Sequence, residues 1–109
     1  MKIKLDKLPF TKKTYDIKAS VKNMRLTYKL QLAFAKTNDL DNKSDEELVN
    51  VFLEMFEESE KYLKTVLKLS DKQAEELEDM TQEDLVGTAN TIAMKLLGIS
   101  EDDVKASKK

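Results

Sequence analysis

The sequence predicts a mainly α-helical protein of about four helices with a short N-terminal β hairpin, at the margin of the α+β class. Two glycines and one proline in 109 residues are too few for the many turns of a β sandwich or barrel. At several points a Ser or Thr precedes Glu, Gln or Asp by three residues, a spacing typical of helix starts. Alternation of apolar and polar residues, which indicates strands, is confined to the first 19 residues.

The length predicts a single domain over residues 1–109. Within it we expect a hairpin in 1–19, a helical body in 20–99 and a frayed tail in 100–109. No apolar run approaches the length of a membrane span, so we expect no membrane association.

The hairpin is predicted in "KIKLDKLPFTKKTYDIKA". Ile3 and Leu5 alternate with charged residues, as do Tyr15 and Ile17, which is the pattern of strands with one buried face. Pro9 lies between the two runs and indicates a longish loop. A lone hairpin is barely stable, so we expect this one to pack on the helices.

The first helix is predicted to begin at Ser20 and to end near Asn38 in a left-handed stop. It carries apolar residues on two sides, so it is either central in the fold or shared with another chain. One stripe consists of Met24, Tyr28, Leu32 and Ala35. The second stripe consists of Leu26, Leu30 and Phe34.

The second helix is predicted to begin with a capping box between Ser44 and Glu47. Its apolar residues continue to Leu67, and small Ser59 keeps them nearly in phase across "EESEK". One helix over 45–69 and a helix broken near Ser59 both fit this pattern. Its apolar side is formed by Leu48, Phe52, Met55, Phe56, Leu63, Val66 and Leu67.

The stretch "LSDKQAEELEDMTQEDL", residues 69–85, contains seven carboxylates. Ser70 and Thr81 each start a cap spacing within it, so most of these acids fall in first turns, where they oppose the helix dipole. We expect a short helix after Ser70 and a stronger one from Thr81 to a stop at Gly98. Gly87 and Ala89 make the early turns of the last helix thin, which favours close packing. Ser100 can start a further helix.

The chain contains neither histidine nor cysteine. The usual general base near neutral pH, the thiol nucleophile and the commonest metal ligands are therefore absent. We expect no enzymatic activity, no catalytic residue, no metal and no cofactor. A calcium loop starting at Asp39 also fails, because Lys43, Ser44 and Asn50 occupy its fifth, sixth and twelfth positions.

Charge is divided along the chain. Residues 1–36 have a net charge of +8, and residues 37–104 a net charge of −13. Opposite patches on one domain favour head-to-tail self-association into a ring or an open spiral. Because charge attraction is screened at physiological salt, we expect an apolar contribution from Leu26, Leu30 and Phe34. The basic region holds one arginine only and the whole chain is acidic, which argues against nucleic acid as the partner.

The order of features resembles the small tail assembly chaperones of long-tailed bacteriophages that infect Gram-positive bacteria. The resemblance lies in the start "MKIKL", the second short strand in "KTYDIKAS" and above all "VLKLSDKQAEELEDMTQEDLVGTANTIAMKLLGIS". It implies a non-enzymatic protein that binds the tape measure protein and keeps it soluble during tail assembly. It also implies location in the host bacterial cytoplasm and absence from the mature virion.

Two other functions fit the residues. A structural head–tail or tail adaptor would stay in the virion, and a small DNA-binding regulator would use the basic N-terminal third. For a protein partner, we expect the contact surface on the aromatic-rich second helix, where the same side chains could instead be ordinary core. The candidate residues are Phe52, Met55, Phe56 and Tyr62.

Overall fold

The computed structural model describes residues 1–38 and 41–98, which form one two-stranded antiparallel sheet and four α-helices. The strands are β1 (Lys2–Lys4) and β2 (Thr14–Asp16). The helices are α1 (Val21–Ala35), α2 (Asp45–Val66), α3 (Asp71–Glu76) and α4 (Gln82–Leu96). Short 3-10 turns follow α1 at Lys36–Asn38 and α3 at Leu77–Asp79. The predicted fold class is confirmed, whereas the helix start at Ser100 and the tail 100–109 lie outside the described residues.

The hairpin pairs Ile3 with Tyr15 across its centre. Two further backbone bonds extend it, from the Leu5 amide to the Lys13 carbonyl at 2.7 Å and from the Ile17 amide to the Met1 carbonyl at 2.8 Å. One face of the strands and their loop is buried in the core, as a hairpin of this size requires. The buried side chains are Ile3, Leu5, Leu8, Phe10, Tyr15 and Ile17.

Helix α1 begins as predicted, because the Ser20 hydroxyl accepts a bond from the Asn23 amide at 3.1 Å. Its end differs from the prediction. Among the described residues other than glycine, only Lys68 has a positive φ, so Asn38 is not a left-handed stop. The Thr37 hydroxyl instead donates to the Phe34 carbonyl at 2.6 Å, which stabilises the 3-10 turn after the helix.

Helix α2 is continuous over 22 residues, about 33 Å at 1.5 Å per residue. The Ser44–Glu47 capping box is present. Because the helix runs without interruption through Ser59, which is fully buried, the alternative of a break there is wrong. After the helix, the Leu69 amide donates to the Lys64 carbonyl at 2.9 Å around Lys68 at φ 56°, which is a left-handed helix stop.

Helices α3 and α4 begin at the predicted caps. The Ser70–Gln73 box is reciprocal, while Thr81 only accepts a bond, from the Asp84 amide at 3.1 Å. The predicted stop at Gly98 is confirmed by its φ of 76°. The expectation of close packing in the early turns of α4 holds for Ala89, which is fully buried, but not for Gly87, where an added Cβ would meet no neighbouring atom within 4 Å.

A single cluster of buried side chains joins the hairpin to α1, α2, the 3-10 turn after α3, and α4. Within it the hydroxyls of Thr27 and Tyr62 lie 2.7 Å apart and link α1 to α2. Among residues 1–38 and 41–98, no helix is both long and apolar enough to cross a membrane.

Candidate partner-binding surface

The N-terminal half of α2 carries a row of apolar side chains that the core does not cover. Val49 is 56% exposed and Leu53 is 50% exposed, and Phe52 is also exposed. Phe56 continues the row and is half-buried. These positions follow the i, i+3, i+4, i+7 spacing, so they lie along one side of the helix. We call Val49, Phe52, Leu53 and Phe56 the α2 stripe.

The local sequence explains why this row is presented on a rigid element. The Ser44 cap fixes the start of α2 one turn before Val49, and three acids in the first turn oppose the positive end of the helix dipole. Further along, α2 packs against both α1 and α4. The α2 stripe therefore lies in the more exposed first half of a long helix whose second half is packed in the core.

At its C-terminal end the α2 stripe opens into a groove of about 350 Å³ between α2, the 3-10 turn and the start of α4. We call this the α2–α4 groove. Its apolar wall is formed by Leu53, Phe56, Leu77, Met80 and Leu85. Its polar wall contains Glu57, Glu60, Glu78 and Gln82. The groove thus offers apolar surface next to three carboxyl groups.

The carboxyl groups in the groove repel one another. Burial raises the pKa of Glu60 to about 7, and a hydrogen bond with Glu78 and the negative charges of Glu78 and Glu57 act in the same direction. The two lysines nearest on α2 have other partners, since Lys64 lies 2.7 Å from Asp71 and Lys61 lies 3.9 Å from Glu58. Above pH 7 the groove therefore carries negative charge that neither of these lysines pairs with.

A second exposed apolar row lies on α1. Tyr28 is 57% exposed and Leu32 is 67% exposed, and Ala35 continues the row on the same side. We call Tyr28, Leu32 and Ala35 the α1 stripe. Beside it, Lys29, Lys36, Glu54 and Glu58 line a second groove of about 540 Å³ between α1 and α2, and Lys36 pairs with Glu54 at 2.8 Å across it.

The residues predicted for partner binding do not all lie on the exposed surface of α2. Phe52 is exposed, and Met55 and Phe56 are half-buried. Tyr62 is 1% exposed and bonds to Thr27 inside the core, so it does not belong to the surface. Position along α2 explains the difference, because the core elements pack around its second half and leave its first half more exposed.

The residues predicted for self-association lie on the inner side of α1. Leu30 is buried in the core, and Leu26 and Phe34 are partly buried against it. The outward side carries the other sequence stripe, which includes Tyr28 and Leu32. Sequence reasoning found both stripes but not which one faces solvent, and it missed Val49 and Leu53, whose spacing with Phe52 and Phe56 was the available signal.

The acidic stretch forms no metal centre in the part of the chain that the structure describes, where no group of three or more possible ligands converges. Three of its seven carboxylates lie in the first turns of the capped helices, Asp71 in α3 and Glu83 and Asp84 in α4. The other four lie at the end of α3 and in the 3-10 turn after it, so the expectation that most of these acids fall in those first turns is wrong. The chemistry available at the surface is therefore apolar contact and charge pairing.

The model of one protein family, described as phage tail assembly chaperone proteins, matches residues 1–109. No curated protein and no solved structure matches the chain.

Proposed function

The chain belongs to the family of phage tail assembly chaperones, and from this premise we propose that it binds the phage tape measure protein and keeps it soluble during tail assembly. The observation that supports the proposal is the α2 stripe, an uncovered apolar row on a rigid helix. A long helical partner exposes apolar surface before it is packaged, and such surface promotes aggregation. Covering it with an exposed helix side is a common mode of protein recognition.

Through the α2 stripe, each copy of the chain can bind one partner helix at a time. Val49, Phe52 and Leu53 offer exposed apolar area, and Phe56 leads into the α2–α4 groove, where a side chain of the partner can be enclosed. Large apolar side chains that enter pockets usually carry most of the binding energy at an interface. Phe52 and Phe56 are therefore the proposed anchors, and half-buried Met55 lies beside them on α2.

The acidic remainder of the chain supports the solubilising role. Residues 37–104 carry a net charge of −13, and negative surface charge keeps proteins apart in solution. A partner coated by several copies would present this charge outwards. Such a role needs no catalysis, and it places the protein in the host cytoplasm and outside the finished virion.

The test is co-expression with the tape measure protein, followed by co-purification and a solubility assay of the partner. We expect Phe52→Asp to leave the fold intact, because the side chain is exposed, and to abolish co-purification, because a charge would have to be buried against apolar surface. Thr91→Asp is the control, since Thr91 is an exposed residue of α4 outside both stripes and the α2–α4 groove.

Loss of binding with an unchanged circular dichroism spectrum supports the proposal. If Phe52→Asp binds as well as the unmodified chain, the α2 stripe is not the contact surface. If the unmodified chain neither binds the tape measure protein nor keeps it soluble, the proposed function is wrong. Detection of this chain in purified virions would favour the alternative function of a structural adaptor.

We also propose that copies associate with one another, using the α1 stripe in place of the buried Leu30 and the partly buried Leu26 and Phe34. Tyr28 and Leu32 are exposed, and the basic side chains Lys22, Arg25 and Lys29 lie on the same helix. Acidic surface on a neighbouring copy would complement them. Repetition of this contact in a ring or spiral would align several copies along a long helical partner.

A further inference from the structure

The α2–α4 groove contains carboxyl groups, which apolar binding alone would not require. Three carboxyl groups, of Glu57, Glu60 and Glu78, line it beside Phe56 and Met80. Of the three, Glu60 is half-buried and Glu57 and Glu78 are exposed. Like charges close to a half-buried carboxyl group cost free energy, and a cation that reaches the groove is stabilised there.

The other charged groups around Glu60 do not neutralise this cluster. On α2, Lys61 is paired with Glu58 and Lys64 with Asp71. From the neighbouring elements, the groove receives only Glu78 among charged groups, together with uncharged Gln82 and Leu85 of α4. Lys61 and Lys64 also line an adjoining pocket with Glu57 and Glu60, but their ion pairs with Glu58 and Asp71 leave the groove side of these carboxyl groups open to a basic group of another molecule.

We propose that the α2–α4 groove binds a helical segment of the partner in which a Lys or Arg follows the apolar anchor residues by about one turn. The apolar anchors would lie along the α2 stripe, and the basic group would pair with Glu60 and Glu78. The spacing supports this arrangement, because Glu60 is one helical turn beyond Phe56, the last residue of the stripe. That the partner is the tape measure protein rests on the proposed function.

A second copy of the chain is the less favoured occupant. Its exposed apolar row outside α2 is the α1 stripe, and Lys29 of α1 and Lys36 of the 3-10 turn after it line a groove against α2 of their own chain. Lys36 is already paired there with Glu54. The basic residues of a segment from another protein are not already paired with acidic residues of this chain.

The arrangement makes binding depend on pH. The Glu60 carboxyl, whose pKa is about 7 in the free protein, must lose its proton to pair with a basic group, and a bound cation lowers that pKa. Affinity should therefore be full above pH 7 and fall as pH decreases below 7, by about tenfold between pH 8 and pH 6. The absence of histidine removes the side chain that ordinarily titrates in this range.

The experiment uses the full chain and two synthetic helical peptides with acetylated N-termini. Both carry leucines at i, i+3, i+4 and i+7, and one carries lysine a turn further where the other carries glutamine. Calorimetric titration at pH 6 and pH 8 should show tighter binding of the lysine peptide at pH 8 and about a tenfold loss at pH 6. The glutamine peptide should bind more weakly, with no decrease in affinity from pH 8 to pH 6.

Glu60→Gln should weaken binding of the lysine peptide at pH 8 and remove most of its pH dependence. Glu75→Gln is the matched control, because Glu75 is an exposed carboxylate of α3 away from the groove, and it should bind like the unmodified chain. Equal affinity for the two peptides, or an unchanged pH dependence in Glu60→Gln, would overturn the inference.

The tape measure protein itself then separates this inference from the proposed function. If the unmodified chain binds the lysine peptide as expected but not the tape measure protein, the groove chemistry stands and the proposed function fails. If it binds the tape measure protein equally at pH 6 and pH 8, and Glu60→Gln does not change that affinity, the function stands and the inference fails. If Glu60→Gln instead alters the size of the protein's own oligomers, the occupant is a second copy.

Discussion

Glu60 illustrates how a single residue can serve binding at the expense of stability. Its carboxyl is half-buried beside Glu57 and Glu78, and its pKa is raised first by burial and then by these neighbours. A chain selected only for stability would place a neutral side chain here. The folded protein keeps a group that is unfavourable until a partner arrives.

We therefore expect Glu60→Gln to stabilise the free protein in a pH-dependent way. Because the pKa of Glu60 is about 7 when folded and about 4.3 in an unfolded chain, the penalty is absent at pH 4, grows between these values and is complete above pH 7. At pH 8 the variant should gain roughly 1 kcal/mol of unfolding free energy, a figure reduced for solvent screening. Urea denaturation at pH 4 and pH 8 measures this, and an equal gain at both values would contradict it.

Single residues also show where sequence reasoning reached its limit. Phe52 and Tyr62 are both aromatic residues of α2, and residue type alone does not show which of them is buried. Tyr62 is buried because Thr27 of α1 lies opposite and bonds to its hydroxyl at 2.7 Å, whereas Phe52 lies in the less covered half of the helix. The difference arises from contacts between residues 35 positions apart in the chain, which no local pattern contains.

At the scale of elements, the helix starts could be predicted well because they depend on neighbours in sequence. Ser20, Ser44, Ser70 and Thr81 all cap the helices expected of them. The helix ends were predicted less well. Gly98 is a left-handed stop as expected, but the stop at Lys68 was not anticipated, because lysine rarely adopts a positive φ and here does so where Leu69 enters the core.

Gly87 offers a test at this scale. It lies inside α4, it is exposed, and no neighbouring atom lies within 4 Å of where a Cβ would be. Gly87→Ala should raise the unfolding free energy by about 0.5–1 kcal/mol, because alanine restricts the unfolded chain and favours the helix. Gly98→Ala is the contrasting control and should destabilise, since φ is 76° there. A loss of stability in Gly87→Ala would indicate a close contact at that face.

At the scale of the whole molecule, the charge division and the exposed α1 stripe together favour self-association. We expect oligomers that grow with protein concentration and shrink as salt rises, because exposed charges are screened over about 8 Å at physiological ionic strength. Light scattering behind a sizing column, across a concentration series at low and high salt, measures both trends.

Two variants locate the contact. Leu32→Asp should shift the protein towards monomer with an unchanged fold, since Leu32 is exposed. Thr91→Asp, an exposed substitution on α4, should leave the oligomers unchanged. A strict monomer under every condition would rule out self-association and would leave the basic and acidic regions to complement each other within one chain.

The position of the hairpin has a consequence for how the chain is made. The hairpin leaves the ribosome before the four helices, yet its six apolar side chains share a core with α2 and α4, and its loop lies against the early turns of α4. That core cannot close until residues near 96 have been translated. Nascent chains would therefore carry an uncovered apolar hairpin until α4 has emerged, so the chain is most vulnerable to aggregation while it is being translated.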